Sequence, residues 1–457
     1  MSTTIHPALI RKYNQLVPRY TSYPTVPFWN NGTDPQKWQQ LFAAAFEACN
    51  DAEGISLYIH LPFCESLCTY CGCNKKITTN HTVEEVYIKA LLREWTLYTE
   101  LMGQRPRIRE LHLGGGTPTF FSPARLARMV EMILHTGNIP GEAQFSLEGH
   151  PNNTTREHLD ELYRLGFRRV SYGVQDLDPH VQQVINRVQP FHNVQRATDE
   201  ARSAGFTAVN FDLIYGLPLQ TIDSVQHTIE QVSSLRPDRI AFYSYAHVPW
   251  TSRGQRLFSE QDLPGPEEKL GLYLHGKELL TKAGYADIGM DHFALPQDEL
   301  FRAKAAGSLH RNFMGYTTQH SGLLLGLGVS AISDLNSGFA QNNKSLHDYY
   351  AAVNDGRLAL QRSFFLSEED IAFRQYIKDI ACKGATRFEP AHMPLLETWT
   401  FPVLHELAAD GLLEYNRNGV QLTDPGHYFI RNACSAFDLY LQRNRSQAIN
   451  NQFSKAI

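Results

Sequence analysis

Cys64-Glu-Ser-Leu-Cys68-Thr-Tyr-Cys71-Gly-Cys73 follows directly on the apolar run Leu57–His60. Four of the seven cysteines fall within these ten residues; the others are Cys49, Cys382 and Cys434. An odd cysteine count in a chain this long does not look like a disulfide framework, and such a cluster in a reducing compartment is more often metal-binding or catalytic. A tetrahedral zinc site takes paired ligands from two knuckles, and no second Cys or His pair at that spacing occurs in the chain. Three thiolates separated by three and then two residues can instead hold three irons of a cubane [4Fe–4S] cluster. Full thiolate ligation needs four cysteines, so three leave one iron open to a small chelating ligand. A structural zinc, or a set of reduced buried thiols, is the plain alternative. Cys73 as a fourth ligand would have to reach the last corner across a single glycine.

Outward from this loop, short apolar strands alternate with amphipathic helices. Candidate strands are Ser56–His60, Glu110–Leu113, Gln144–Leu147, Arg169–Tyr172, Ala208–Ile214 and Arg239–Ser244, with a seventh candidate at Ala286–Met290. Val83, Val86, Tyr87, Ala90, Leu91, Tyr98, Leu101 and Met102 lie on one 3.6-residue stripe. Thr82-x-x-Glu85 and Thr154-x-x-Glu157 have capping-box spacing, and Gly166, Ser122-Pro123 and Pro237 mark further boundaries. Repeated strand–helix units predict a parallel sheet. The six units occupy about 190 residues, short of the roughly 250 of a closed eight-stranded barrel. The expected fold class is therefore α/β, a partial (β/α)6-type barrel or open sheet, with ligands at the C-terminal strand ends. The expected division is 1–50 as an N-terminal extension over the active site, 51–345 as the catalytic domain, and 346–457 as a small, mostly helical C-terminal domain. In that last part Val403–Gly411, Leu412–Tyr415 and Val420–Leu422 read as helix and hairpin, a winged-helix-like order without a basic recognition face.

Apolar residues make up 42% of the 457 and charged residues 19%, a globular composition that excludes a mostly disordered chain. Acidic residues number 47 against 42 basic ones, a net charge of −5, so there is no global attraction to nucleic acid or an anionic membrane. The longest nearly uncharged apolar stretch, Gly322–Ile332, is too short to span a bilayer, and the N-terminus lacks a secretory h-region. The expectation is a cytosolic protein with no nucleic-acid partner and no membrane span.

Gly114-Gly115-Gly116-Thr117-Pro118 follows the second strand, where absent side chains let backbone groups approach a ligand. It is neither G-x-G-x-x-G nor a P-loop. Glu148, Gln175 and Asp212 each close or interrupt an apolar strand on the same expected face. Any one of them alone reads as readily as a capping or ion-pairing residue. Arg187 could pair with a carboxylate or be a solvated helix charge.

The cysteine loop, with Tyr70 before its third cysteine, resembles the radical S-adenosylmethionine (SAM) enzymes. That resemblance implies that Cys64, Cys68 and Cys71 bind the cluster. SAM would chelate the open iron and yield a 5′-deoxyadenosyl radical that abstracts hydrogen, chemistry that belongs to the cofactor. The segments Pro18–Thr25, Ser171–Asp176, Asp212–Pro218, Gly289–Ala294 and Leu309–Gln319, together with Cys73, resemble the oxygen-independent coproporphyrinogen III oxidase family from about residue 11 onward. The resemblance implies SAM contacts from Tyr58, Tyr70, Gly115, Gly116, Thr117, Glu148, Gln175, Arg187, Asp212, Ala246 and Ile332, and two SAM molecules. It implies oxidative decarboxylation of two propionates of coproporphyrinogen III to vinyl groups in haem biosynthesis. An electron donor such as a flavodoxin or ferredoxin is implied too, as is an electron acceptor that the sequence does not name.

After Glu148 the chain reads Gly149-His150-Pro151-Asn152-Asn153, where the family pattern has a Val-Asp-Pro-Arg type of segment. Arg19 and Arg311 are candidate carboxylate partners for a tetracarboxylate, since a guanidinium fork suits carboxylates; structural ion pairs are the competing role. His60 and His292 read better as satisfied structural histidines than as proton carriers. A haem-binding chaperone that keeps the cluster, and a radical SAM methyltransferase of tetrapyrroles, are the other readings.

Overall fold

The computed structural model describes residues 5–29, 32–319, 321–444 and 453–456. Its centre is six parallel strands in sequence order: β1 Ile55–Leu61, β2 Ile108–Gly115, β3 Gln144–Gly149, β4 Phe167–Gln175, β5 Ala208–Tyr215 and β6 Arg239–Ser244. Helices Val83–Met102, Pro123–His135, Arg156–Arg164, Phe191–Ala204 and Ile222–Ser234 form the crossovers between them. Alternation along the strands sorts the two faces. On β5, Val209, Phe211, Leu213 and Tyr215 are buried, while Asn210 and Asp212 turn to the other side and line an internal cavity. Ser146 and Glu148 of β3, Ser171 of β4 and Tyr243 of β6 line the same cavity. One face is thus apolar and the other carries polar groups into the barrel interior. Each helix closes the apolar side with a stripe such as Leu126, Met129, Val130 and Ile133 of Pro123–His135. Burying side chains of this kind is worth about 1.5–3 kcal/mol apiece as an upper estimate.

Among the described residues the sheet has 12 strands and stays open. Past β6 comes an antiparallel hairpin, His292–Ala294 and Ala286–Gly289. The expected seventh strand therefore exists at the far edge, but it does not continue the parallel series. On the other side Leu324–Leu327, noted in the sequence only for its apolarity, runs parallel to β1. Ile332–Asp334, Gly338–Asn342 and Leu360–Phe365 follow it, antiparallel. Strand Leu360–Phe365 carries the central sheet past the expected boundary at residue 345. After it come helix Glu368–Lys383, helix Phe401–Ala409 and a three-stranded sheet containing Leu413–Asn416 and Gly419–Leu422.

Glu94 ties this sheet extension to helix Val83–Met102. Its carboxylate accepts hydrogen bonds from the Gly328 N–H (2.7 Å), Asn342 Nδ2 (2.6 Å) and the Tyr349 hydroxyl (2.7 Å). Neither predicted capping box forms as read. The Thr82 side chain makes no cap and instead donates to Asn80 Oδ1. The cap of Arg156–Arg164 is Thr155 with His158, because the Thr154 hydroxyl is committed to Thr119 and the His150 carbonyl. Among the described residues no helix is long and apolar enough to cross a membrane.

Candidate active site at the C-terminal strand ends

The cysteine loop is held by its backbone. Phe63–Cys64 pairs with Lys76–Ile77, closing the loop on itself. Thr69 N–H donates to the Ile185 carbonyl, Asn186 Nδ2 to the Leu67 carbonyl, Gln255 Nε2 to the Tyr70 carbonyl and Ser252 Oγ to the Cys71 carbonyl. Cys64, Cys68, Cys71 and Cys73 all line one pocket of ≈510 Å³. Thr117 Oγ1 donates to Cys64 Sγ at 3.3 Å, and Arg187 Nη1 to Cys68 Sγ at 3.5 Å. Burial pushes the Cys64 thiol up to about 11, whereas a hydrogen bond from Cys73 and the nearby Lys75 ammonium pull Cys71 down to about 6.

The glycine run is shaped by close approach. A Cβ on Gly116 would lie 2.7 Å from the Pro62 carbonyl, and one on Gly115, at φ +118°, would lie 2.7 Å from His60 Nδ1. The Gly116 and Thr117 N–H groups donate to the carbonyls of Leu61 and Phe63, so this run sets the register of the chain entering the cysteine loop. Glu148 accepts the Gly115 N–H at 3.1 Å and lies 3.4 Å from His112 Nε2. Burial works against its charge, but His112 and the Gly115 N–H outweigh it and hold the carboxyl below its ordinary value. Asp212 accepts from Ser171 Oγ at 3.3 Å and is pushed up to about 7 by burial and by Glu148. Gln175 sits at φ +67° beside a register shift in β4.

Of the residues expected to contact SAM, the pocket brings together Tyr70, Gly115, Gly116, Thr117, Glu148, Gln175, Arg187 and Asp212. Tyr58, Ala246 and Ile332 are not in its wall. The Tyr58 hydroxyl lies 3.0 Å from His60 Nδ1, and its ring stacks on His112. The Ala246 carbonyl accepts from the same Gln255 amide that holds Tyr70. Ile332 abuts Gly326, which pairs with Tyr58 across the sheet. Arg19 and Arg311 line a separate cavity. His60 has both ring nitrogens occupied, by Tyr58 and the Asn74 carbonyl, as a structural histidine would. His292 has a buried Nδ1 without a partner. The turn after Glu148 is uncharged: burial and Arg187 hold His150 down to about 2, Asn152 donates to the Val188 carbonyl, and Asn153 reaches Glu65. Sequence reasoning passed over Thr117 as a sulfur donor, Lys75, His112 and Tyr243. For His112 and Tyr243 the signal was strand alternation on β2 and β6; Lys75 and Thr117 lie in loops outside those strands, where no such signal exists.

The Radical SAM superfamily model matches residues 58–232. Oxygen-independent coproporphyrinogen III oxidase of Escherichia coli (strain K12) is 40% identical over 460 residues, covering 98% of each chain. That of Pseudomonas aeruginosa is 38% identical over 459 residues with the same coverage. The chain belongs to the oxygen-independent coproporphyrinogen III oxidase family. The solved structure of coproporphyrinogen III oxidase (HemN) from E. coli superposes with a TM-score of 0.89 at 38% identity, over 96% of this chain and 100% of that one. As a member of this family the chain is a radical SAM oxidoreductase that takes a [4Fe–4S] cluster and SAM. The residues present fit both groups. Four thiols, those of Cys64, Cys68 and Cys71 with Cys73, line one pocket, and Gln175 Oε1 and Arg187 Nε are buried there without hydrogen-bond partners, an arrangement left open for a polar ligand.

Proposed function

We propose that the enzyme converts coproporphyrinogen III to protoporphyrinogen IX without oxygen, in haem biosynthesis. The observation that carries this reading is the extent of the family match: 98% of both chains align with the E. coli oxidase, so the terminal parts as well as the cofactor core are shared. Each of two propionates loses a β-hydrogen, carbon dioxide and one electron, and becomes a vinyl group.

Cys64, Cys68 and Cys71 would hold three irons, leaving the fourth to SAM. Gly115, Gly116, Thr117, Glu148, Gln175, Arg187 and Asp212 would hold the SAM beside it. When bound, these groups supply a 5′-deoxyadenosyl radical that takes the propionate hydrogen. The chain's own part is placement. Arg187 puts a cation against Cys68, and Lys75 puts one beside Cys71, which favours the Cys71 thiolate. A second SAM would account for Tyr58 and Ile332, which lie together across the sheet and outside the pocket wall. The protein would work in the cytoplasm with a flavodoxin- or ferredoxin-like donor and an external acceptor. We divide it into an N-terminal extension, a radical SAM domain and a helical C-terminal domain.

Anaerobically reconstituted protein, reduced with dithionite and given SAM and coproporphyrinogen III, is the test. Methionine, 5′-deoxyadenosine and carbon dioxide should appear, with protoporphyrinogen accumulating only when an acceptor is added and two SAM consumed per substrate. Tight haem binding with no decarboxylation under any donor–acceptor pair would overturn the assignment and favour a chaperone.

A further inference from the structure

Three cavities meet at one side chain. Tyr243 of β6 lines the cysteine pocket, the barrel-interior cavity of ≈160 Å³ and a third cavity of ≈120 Å³. The third is bounded by Arg19 of the N-terminal segment, Arg311 of the hairpin His310–Asn312/Gly315–Thr317, and Arg431 of helix Ile430–Ser435. Among the described lining residues its one carboxylate is Asp291, on which Arg19, Arg311, Arg431 and Lys269 all act.

Most of this positive charge is met by neutral acceptors. Arg19 donates to the Ser244 carbonyl, and Lys269 to the Tyr245 carbonyl at 2.8 Å. Arg431 donates to the carbonyls of Val17, Pro18, Lys455 and Ala456, so it pins both ends of the chain over the cavity. Arg311 is the least satisfied: its Nε and Nη1 are buried without partners, and its guanidinium lies 4.9 Å from the centre of the Tyr316 ring. Crowding is severe enough that burial, with Arg19 and Arg431, pushes the Lys269 ammonium down to about 7. Cations gathered away from water around one carboxylate are costly unless an anion joins them. The cavity has room for a carboxylate arm and not for a macrocycle.

We propose that this cavity anchors a non-reacting propionate of the substrate: Arg311 and Arg19 grip the carboxylate, Arg431 and Lys269 add charge behind them, and Asp291 holds the cations in place when the site is empty. Because Tyr243 separates it from the cysteine pocket, an arm anchored here directs another arm of the same ring toward that pocket. The inference rests on the reading of the substrate as a tetracarboxylate, and it assigns the grip to an N-terminal arginine and one from the hairpin, with Arg431 of the C-terminal part behind them.

The test uses Arg311→Gln, Arg311→Lys and Arg19→Gln in the full-length, cluster-loaded enzyme. Arg431 is left intact because it joins the chain ends. Coproporphyrin III, the unreactive oxidised ring, serves as the binding probe by fluorescence titration. Arg311→Gln and Arg19→Gln should each weaken its binding, and raise KM for coproporphyrinogen III, about tenfold or more. Iron content and dithionite-driven SAM cleavage without substrate should stay at the wild-type level, and Arg311→Lys should recover part of the loss. If wild type turns over coproporphyrinogen III while both glutamine variants bind coproporphyrin III as tightly as wild type, the anchor assignment is overturned and the function stands. If wild type neither binds coproporphyrin III nor turns over coproporphyrinogen III, the functional reading itself fails, and the anchor with it.

Discussion

Replacing Arg187 with methionine should lower the reduction potential of the cluster. The guanidinium donates to Cys68 Sγ at 3.5 Å and, through its other terminal nitrogen, to the Gly173 carbonyl, so its charge is fixed against one of the sulfurs proposed to hold the cluster. Two unit charges 4 Å apart interact by about 4 kcal/mol at an effective dielectric of 20. An added electron is spread over the whole cluster, so roughly half of this, about 2 kcal/mol, is a reasonable share. For a one-electron couple about 59 mV corresponds to 1.4 kcal/mol, giving a fall of roughly 80 mV. Methionine keeps much of the side-chain bulk and removes only the charge and the donors. An EPR-monitored redox titration of reconstituted protein without SAM reads the shift directly. Arg187→Lys, which keeps the charge but not the fork, should restore most of the potential while leaving SAM affinity reduced. A methionine variant whose midpoint matches wild type within the spread of repeated titrations would refute the electrostatic role and leave Arg187 as a purely structural bridge.

Gly116→Ala should cost about 1–3 kcal/mol and lower iron per chain, since its Cβ would press on the Pro62 backbone at 2.7 Å; Gly72→Ala, with open space around it, should change neither thermal stability nor iron content. Burial raises the Glu94 carboxyl from 4.5 to about 7, so its charging costs the folded state stability as pH rises through that window, on the order of 3 kcal/mol in all. Glu94→Gln should therefore flatten the decline expected between pH 4.5 and 7 in denaturant titrations, although it turns an amide N–H toward Asn342 and lowers the low-pH stability. Cys64→Ala, Cys68→Ala and Cys71→Ala should each lose the cluster in iron and sulfide assays, while Cys382→Ala and Cys434→Ala, outside the pocket, should keep it.

Strand positions and faces were legible in the sequence because they depend on local periodicity. Asp212 falls on the interior face of β5 for the same reason that Val209, Phe211 and Leu213 fall under the helices: successive side chains alternate. The cysteine cluster was equally legible, since its four cysteines sit within ten residues of one another and line one pocket. Capping was less so. Thr154 and Thr155 both had an acceptor, and the choice went to the one whose hydroxyl was not already held by His150 and Thr119.

Pairing and convergence were decided only by the tertiary structure. Leu324–Leu327 pairs with β1 because the parallel series leaves that edge open, a condition no local pattern can express. The segment at Ala286–Gly289 does not pair with β6, because its neighbour across the hairpin, His292–Ala294, took that edge in antiparallel fashion. The basic cavity draws Arg19, Lys269, Arg311 and Arg431 from four distant parts of the chain, each ordinary in its own segment. Their shared charge acquires meaning only when folding removes water from between them, and sequence spacing carries no record of that distance.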